Sequence, residues 1–309
     1  MAGYGPNGGV QGVCNAVSSC LSSKTSTINA TACFTRGNAC STTANILVVA
    51  GGGGGSHERA GGGGAGGYRF CETYTIDGST YKVTVGAGGA KGEPPSGMGG
   101  QGTASSFNTC CAGGGTKYES AGGGYSGRAG APYSGNAGGS GGGAAAHGTG
   151  GAGNTPPVAP PQGSAGGTSP AGKAGSGGGG ASAVGPNAST STGTPGGAGS
   201  SVWPGDSTLR AGGGGGGGLS GGGGGCGGPG GGGQGSTSSP NAGNAGAGTV
   251  NTGGGGGGGQ GDCTGCTDGA AGGPGTVIVI EPQGCLSYVA PGIWPQRAQY
   301  DNKVAGTWP

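Results

Sequence analysis

The sequence predicts an all-β fold: a small β-sandwich framework with an inserted polyglycine II helix bundle and little or no α-helix. Glycine supplies 97 of the 309 residues. Two short β-branched segments, NILVVA at 45–50 and GTVIVIE at 275–281, enclose the glycine-rich part, and short apolar runs bounded by glycine are typical of buried strands. No segment shows the apolar periodicity of an amphipathic helix.

Two further segments between these strands favour β-structure. Residues 68–89, YRFCETYTIDGSTYKVTVGAGG, contain two runs rich in Thr, Tyr, Val and Ile on either side of Asp77-Gly78. Because an Asp-Gly pair suits a tight turn, this segment predicts a β-hairpin. Residues 103–115, TASSFNTCCAGGG, supply one more strand. Most of the glycine-rich part must therefore be built from something other than strands.

The long glycine runs, such as 212–218 and 253–259, have two interpretations. Gly/Ser-rich chains behave as flexible linkers, but a linker joins two domains, whereas these runs lie inside one strand-bounded unit. The ordered interpretation is polyglycine II, which has the polyproline II conformation with three residues per turn and about 3.1 Å rise per residue. Its N–H and C=O groups point sideways and need partners, which neighbouring glycine backbones provide because no side chain separates them. Ordering the backbone costs about 1–2 kcal/mol per residue, so we expect many laterally bonded runs rather than a single one.

Residues 211–235, AGGGGGGGLSGGGGGCGGPGGGGQG, show what this interpretation predicts in detail. We expect two or three adjacent rods here, with Leu219-Ser220 and the stretch from Cys226 to Pro229 as corners between them. The runs do not follow the strict Gly-X-Y period of collagen, so a triple helix is not predicted.

The chain divides into three zones by composition. These are a cysteine-containing N-terminal segment at 1–44, a glycine-rich β-framework with the polyglycine II bundle at 45–281, and a C-terminal docking tail at 282–309. The tail contains Tyr288, Trp294 and Trp308. We expect these rings to dock onto a neighbouring chain, because exposed apolar rings are costly to leave in water.

Charge and composition argue against several classes of protein. The formal net charge is +2 and charged residues make up 7% of the chain, with the basic residues scattered, which argues against nucleic-acid binding. We expect neither a secretory signal nor a membrane span, because neither pattern is present. A protein that leaves the cell inside a virus particle released by lysis reconciles this expectation with eleven cysteines, which favour an extracellular setting.

The cysteines favour disulfides over metal or redox chemistry. The N-terminal segment contains Cys14, Cys20, Cys33 and Cys40, whose three possible pairings would each staple a small unit. The CTGC motif at 263–266 has no second pair with zinc-binding spacing and no βαβ context for a redox site. We therefore expect a local disulfide or two free buried thiols there. The adjacent Cys110-Cys111 pair is expected to bond elsewhere or stay reduced.

The sequence contains few residues of the types that form catalytic sites and no complete catalytic motif. We therefore expect no enzyme, no cofactor and no metal site. His57 and His147 are the two histidines, and His57 is expected on an exposed turn between glycine helices. Residues 167–174, GTSPAGKA, nearly match a phosphate-binding loop, but Ala174 stands where a Ser or Thr would hold magnesium.

Aromatic and charged residues in the interruptions between glycine runs are the candidate receptor-binding residues. They are Tyr125, Arg128, Tyr133, Trp203 and Arg210, in the segments GYSGRAGAPY at 124–133 and SSVWPGDSTLR at 200–210. Aromatic and Arg residues on rigid platforms are frequent binding anchors. The alternative is that these side chains cap the bundle and cover its ends.

The order of the segments ILVVAGGGGG, YKVTVGAGGA, TASSF, NTGGGGGGGQG and GGPGTVIVIEP resembles a glycine-rich domain common in bacteriophage tail proteins, over roughly residues 45–281. The alternation of long glycine runs with segments containing Pro, Ser and Ala is also similar to the polyglycine-rich tail-fibre adhesins of T-even-like phages. In those proteins glycine helices stack into a sandwich, and loops at its tip recognise host receptors. A second resemblance, to the extracellular glycine-rich domain of anaplastic lymphoma kinase, supports the architecture alone.

The phage resemblance implies a virion structural protein of a tail fibre or tail tip that contributes to host receptor recognition. Its expected partners are other virion proteins and a host cell-surface receptor, and a homo-oligomer is expected, with a trimer favoured by the resemblance. Its expected location is the virion, and the extracellular space after release. Two alternatives stay open: a purely structural virion component such as a decoration, neck or shaft protein, and an ice-binding glycine-rich protein.

Overall fold

The structure, a computed structural model, describes residues 23–37, 41–76, 80–94, 97–109, 117–237, 243–261 and 267–282. Within these residues the chain forms eight β-strands and no helix, in one compact unit from Lys24 to Glu281. The strands are β1 (Lys24–Ile28), β2 (Ala32–Thr35), β3 (Thr43–Val49), β4 (Tyr68–Thr75), β5 (Thr80–Thr84), β6 (Ser105–Thr109), β7 (Tyr118–Ser120) and β8 (Thr276–Glu281). The predicted all-β fold class is confirmed.

The strands form two antiparallel sheets of four, in the orders β1-β8-β3-β4 and β2-β5-β6-β7. The two β-branched segments that enclose the glycine runs are β3 and β8, and they lie side by side, with Val49 opposite Thr276. Between the sheets, Val48 and Val277 pack with Tyr81 and Phe107 in one apolar core. The rings of Tyr81 and Phe107 stack with their centroids 4.9 Å apart. This core makes the two sheets a sandwich.

The predicted hairpin around Asp77-Gly78 is wrong. Strand β4 pairs with β3 in the first sheet, whereas β5 pairs with β2 and β6 in the second. The chain therefore crosses from one sheet to the other between these strands. Ile76, directly after β4, is fully buried in the core between the sheets, and the burial of this side chain outweighs the turn preference of the Asp-Gly pair. Asp77 and Gly78 themselves lie outside the described residues.

The strands β1 and β2 come from the segment that the sequence assigned to the cysteine-containing N-terminal zone. β1 pairs with β8 and β2 pairs with β5, so both are edge strands of the two sheets. Their sequences, KTSTI and ACFT, are short and mostly exposed. They carry too little apolar alternation to be recognised as strands from the sequence.

The glycine-rich body consists of extended rods whose amides bond to the same neighbour at every third residue. The amides of Gly51, Gly54 and His57 donate to the carbonyls of Thr103, Gly100 and Gly97 over 2.7–3.1 Å. The amides of Gly52 and Gly55, which alternate with them, donate to a different segment, at Gly273 and Ala270. A repeat of three residues is that of the polyproline II conformation, so these rods are polyglycine II helices.

Each interior rod is enclosed by other rods on all sides. For the rod at 212–218, backbone hydrogen bonds run to segments 230–236, 194–197, 60–63, 255–261, 225–228 and 175–178. The first three accept bonds from its amides and the last three donate to its carbonyls. Six neighbours around one rod correspond to hexagonal packing, in which both the amides and the carbonyls of the rod are satisfied.

Close backbone approach explains why glycine is needed here. A Cβ atom built on Gly62 would lie 2.0 Å from the carbonyl oxygen of Gly214, and one on Gly214 would lie 2.1 Å from that of Gly256. Real Cβ atoms do not approach other atoms within 3.0 Å. The predicted packing of backbone against backbone is therefore what the structure contains.

The rods run back and forth between two ends. The chain leaves β3 at Val49, bends at 57–59 and returns into β4 at Tyr68, so this bend lies away from the sandwich. We call this the distal end; its described bends are at 57–59, 93–94, 129–133, 146–148, 170–173, 190–192 and 219–221. The proximal end, next to the first sheet, has its described loops at 138–140, 154–160, 182–185, 200–210, 229–231 and 249–252.

The predicted corner at Leu219-Ser220 is confirmed, whereas the second corner lies at 229–231 and does not begin at Cys226. Leu219 and Ser220 lie at a distal bend, and Pro229 begins a proximal one. Cys226 lies within the rod that connects them, where its carbonyl accepts a bond from Gly196. The stretch thus forms three consecutive rods.

Candidate functional site at the distal end

The structure places the predicted binding residues at opposite ends of the bundle. Tyr125, Arg128 and Tyr133 belong to the distal side, where the amide of Ala129 donates to the carbonyl of Glu58. Trp203 and Arg210 belong to the proximal loop 200–210, beside the first sheet. The two predicted segments therefore do not form one surface.

Trp203, predicted as a candidate receptor-binding residue, is a core residue with no exposed ring. Its side chain is 1% exposed and packs in a second apolar core with Leu47, Tyr68 and Ile278 from the outer face of the first sheet. The Trp203 amide donates to the Tyr68 hydroxyl at 3.4 Å, and burial raises the pKa of Tyr68. Because the glycine rods carry few apolar side chains, the large ring of Trp203 is needed to cover this sheet face.

Arg210 closes the same loop from its other end. Its guanidinium binds the Asp206 carboxylate at 2.6 Å, and the Arg210 side chain is 12% exposed. Hydrogen bonds from Thr208 and Arg210 hold the pKa of Asp206 below its ordinary value, the Thr208 hydroxyl contributing most. Arg210 thus fixes the loop that carries Trp203, which corresponds to the capping alternative.

Tyr133 and its neighbours form an exposed ring cluster at the distal end. Tyr133 is 40% exposed, and its ring meets that of His147 edge to face with centroids 5.9 Å apart. Arg128 donates from its side chain to the carbonyl of Ala131 at 3.0 Å and from its amide to that of Pro132 at 3.0 Å. Tyr125 lies half-buried in the rod that leads to this bend, three residues before Arg128. These contacts hold Arg128 and the rings of Tyr133 and His147 at the distal end.

The distal end also gathers most of the charged side chains of the glycine-rich body. In the described part of the bundle they are Glu58, Arg59, Lys91, Glu93, Arg128, Lys173 and Asp268. Glu93 and Asp268 raise the pKa of Lys91 through hydrogen bonds. His57 lies in the bend at 57–59, between two rods as predicted, but is half-buried. The sequence analysis treated the basic residues as scattered, and the signal it missed is that these charged residues interrupt glycine runs at the same end.

The cysteines and the predicted docking residues lie mostly outside the described residues. Of the described cysteines, Cys33 and Cys226 are exposed and free, and Cys71 is half-buried and free. The predicted disulfides are therefore not found at these positions. The CTGC motif, Cys110-Cys111 and the tail residues Tyr288, Trp294 and Trp308 lie outside the described residues.

The described part of the chain contains neither a group of metal ligands nor a membrane-spanning helix. No three His, Cys, Asp or Glu side chains there lie close enough to hold a metal ion. The described residues form no helix of the length and apolar character needed to cross a membrane.

The fold and the rod packing define a class: an all-β glycine-rich domain in which polyglycine II rods are inserted into a β-sandwich. Comparison with known families agrees, because the profile of the glycine-rich domain matches residues 25–280. The chain belongs to this glycine-rich domain family. A search of curated proteins found no significant match. The matched residues run from β1 to β8, so the edge strand β1 is part of the family domain.

Proposed function

We propose that the protein is a virion structural protein of a phage tail fibre or tail tip, and that its distal end contacts a receptor on the host cell surface. The role is one of structure and recognition rather than catalysis. Its partners are other virion proteins and the host receptor. The resemblance of the segment order to phage tail proteins supports this proposal.

One observation carries the proposal: most of the charged side chains of the bundle lie at its distal end. The rods between the two ends are nearly free of side chains, whereas the distal bends carry charged groups and the Tyr133–His147 ring pair. Rods bonded on all sides hold these bends stiffly. A preorganised surface loses little conformational entropy on binding, and Tyr and Arg are common anchors of such surfaces.

The proposal is tested by competition for adsorption. Purified protein is added to host cells before intact virions, and the concentration that halves adsorption is measured. Arg128→Ala combined with Tyr133→Ala is expected to raise this concentration about thirtyfold, which corresponds to the roughly 2 kcal/mol of a binding hot spot. The control is Val202→Ala combined with Val250→Ala, at two proximal residues that are each 66% exposed.

The outcomes separate the proposal from its alternatives. Wild-type protein that does not compete at all would favour a purely structural virion component. Equal loss from the distal and proximal variants would overturn the assignment to the distal end. Thermal hysteresis in the purified protein would instead support ice binding. Immunogold labelling on intact particles gives an independent check, since we expect label at the tip of the tail or fibre.

A further inference from the structure

A groove of about 560 Å³ runs along one edge of the bundle. Its lining includes Lys91, Asn244, Ala247, Asp268 and Ala271. Its floor is the rod at 267–275, which bonds to the rod at 86–92 on one side and to Ala247's rod on the other, through the Gly248 amide.

The threefold pattern shows which amides of the floor rod face the groove. Gly269 and Gly272 donate to the rod at 86–92, over 3.1 and 2.9 Å. Ala270 and Gly273 donate to the rod at 254–260, over 2.9 and 2.8 Å. The third set of positions, which points in the remaining direction, consists of Asp268, Ala271 and Pro274.

The backbone amides at these positions have no partner among the described residues, as expected at an open edge of the bundle. Within the described part of the chain, the amides of Asp268 and Ala271 have no acceptor. Pro274 has no N–H to donate, so its presence in this set costs the rod no hydrogen bond. On the neighbouring rod, the amides of Gly88 and Lys91 likewise find no acceptor among the described residues. The edge therefore presents amide donors at intervals of three residues.

We propose that this groove binds a single extended Gly/Pro-rich segment of a partner polypeptide, in the polyproline II conformation, as an additional rod of the bundle. Such a segment repeats every three residues, or about 9.3 Å. Its carbonyls then meet the Asp268 and Ala271 amides in register. Because carbonyls are the groups that these amides need, proline is acceptable in the ligand. The contact continues the hydrogen-bond pattern of every interior rod, much as an added strand extends a sheet edge.

Charged side chains favour a single rod over a second copy of the whole bundle. The side chains of Lys91 and Asp268 are 47% and 42% exposed, and both residues line the groove. Charged residues on the edge of a β-sheet prevent another sheet from approaching, and these two do the same for another flat bundle face. Their ion pair, 3.2 Å long, is largely exposed and so contributes little stability. A thin rod lies beside them without displacing both.

The test uses a synthetic peptide of four Pro-Gly-Gly repeats, titrated into the protein and followed by NMR and calorimetry. We expect chemical-shift changes at the Asp268 and Ala271 amides and slower hydrogen exchange there. Ala271→Pro removes one donor and keeps the rod, since Pro274 already occupies the same face three residues later. This variant is expected to bind the peptide about threefold to tenfold more weakly, the effect of one lost hydrogen bond.

The matched control is Ala198→Pro, on an edge away from the groove. Pro195 stands three residues before Ala198 on the same face of its rod, and the Ala198 amide has no acceptor in the described residues. We expect it to bind the peptide like the wild type. Absence of binding at millimolar peptide, equal affinity of Ala271→Pro and wild type, or shift changes away from the groove would each overturn the proposal. Concentration-dependent dimerisation through this edge would overturn it in favour of a second copy. The proposal does not depend on receptor binding at the distal end.

Discussion

Replacing Gly215 by alanine tests whether the glycine rods pack backbone against backbone. Gly215 lies in the middle of the rod at 212–218, where its amide donates to Gly233 and its carbonyl accepts from Gly258, both at 2.9 Å. An alanine Cβ at this position would lie 2.0 Å from the carbonyl oxygen of Gly225. Since real Cβ contacts stay above 3.0 Å, the rods must separate by about 1 Å, the difference between these two distances.

The expected loss of stability follows from this separation. Overpacking of a well-packed interior costs about 1–3 kcal/mol. Moving away from Gly225 also stretches the two hydrogen bonds between these rods, from the Gly225 amide to Gly216 and from the Gly228 amide to Gly213, and each contributes about 0.5–1.5 kcal/mol. The sum is roughly 2–6 kcal/mol, a large part of the roughly 5–15 kcal/mol that stabilises a typical domain. Gly215→Val is expected to prevent folding, because its additional methyl groups enter the same space.

The control is Gly223→Ala, eight residues further along the same glycine-rich stretch. The nearest atom to a Cβ there is the Thr192 methyl, at 3.9 Å. Because the space is open, the smaller freedom of the unfolded chain is expected to stabilise this variant by about 0.4–1 kcal/mol. Urea denaturation of both variants measures the difference. Two variants with the stability of the wild type would refute the reasoning, since that is the behaviour of a flexible linker.

Three further predictions concern the proximal loop and the sandwich. Trp203→Ala is expected to lower the free energy of unfolding by about 3–5 kcal/mol because the ring is buried, whereas exposed Val202→Ala stays within about 0.5 kcal/mol; urea denaturation decides. Because the folded pKa of Asp206 lies below its ordinary value, its stabilising effect is present above about pH 4 and is lost as the pH falls through the folded pKa. The acid-induced change in Trp203 fluorescence is therefore expected to disappear in Asp206→Asn, and an unchanged profile would contradict this. Phe107→Ala removes the ring stacked on Tyr81 and is expected to cost about 3–5 kcal/mol; a thermal midpoint equal to that of the wild type would contradict the sandwich core.

The framework could be predicted from the sequence because its inner strands carry strong local signals. The β-branched segments at β3 and β8 are apolar on both faces, since one face packs in the sandwich and the other against the bundle. The polyglycine II rods could be predicted because only glycine allows backbones to bond laterally on every face. The corners at Leu219 and Pro229 follow from the same reasoning, since side chains interrupt the rods there.

The rest depends on contacts that the sequence does not encode locally. The Asp77-Gly78 pair suits a hairpin turn, but the burial of Ile76 takes the chain into the other sheet. Trp203 stands among small residues and looks exposed, but its partners Leu47 and Ile278 are far away in the chain. The end of the bundle to which each loop belongs depends on how many rods precede it. The sequence could therefore predict the types of residue at the candidate site but not which loops share an end.

Residue-resolved hydrogen exchange of the glycine amides tests the central claim most directly. The claim is that the glycine runs form a hydrogen-bonded interior and not a linker. Amides at 212–218 and at 62–66 all bond to other rods, so they are expected to exchange only through rare opening of the bundle, many orders of magnitude more slowly than in an unstructured peptide. Exchange of these amides at the unstructured rate, while the strand amides of β3 and β8 stay protected, would contradict the account.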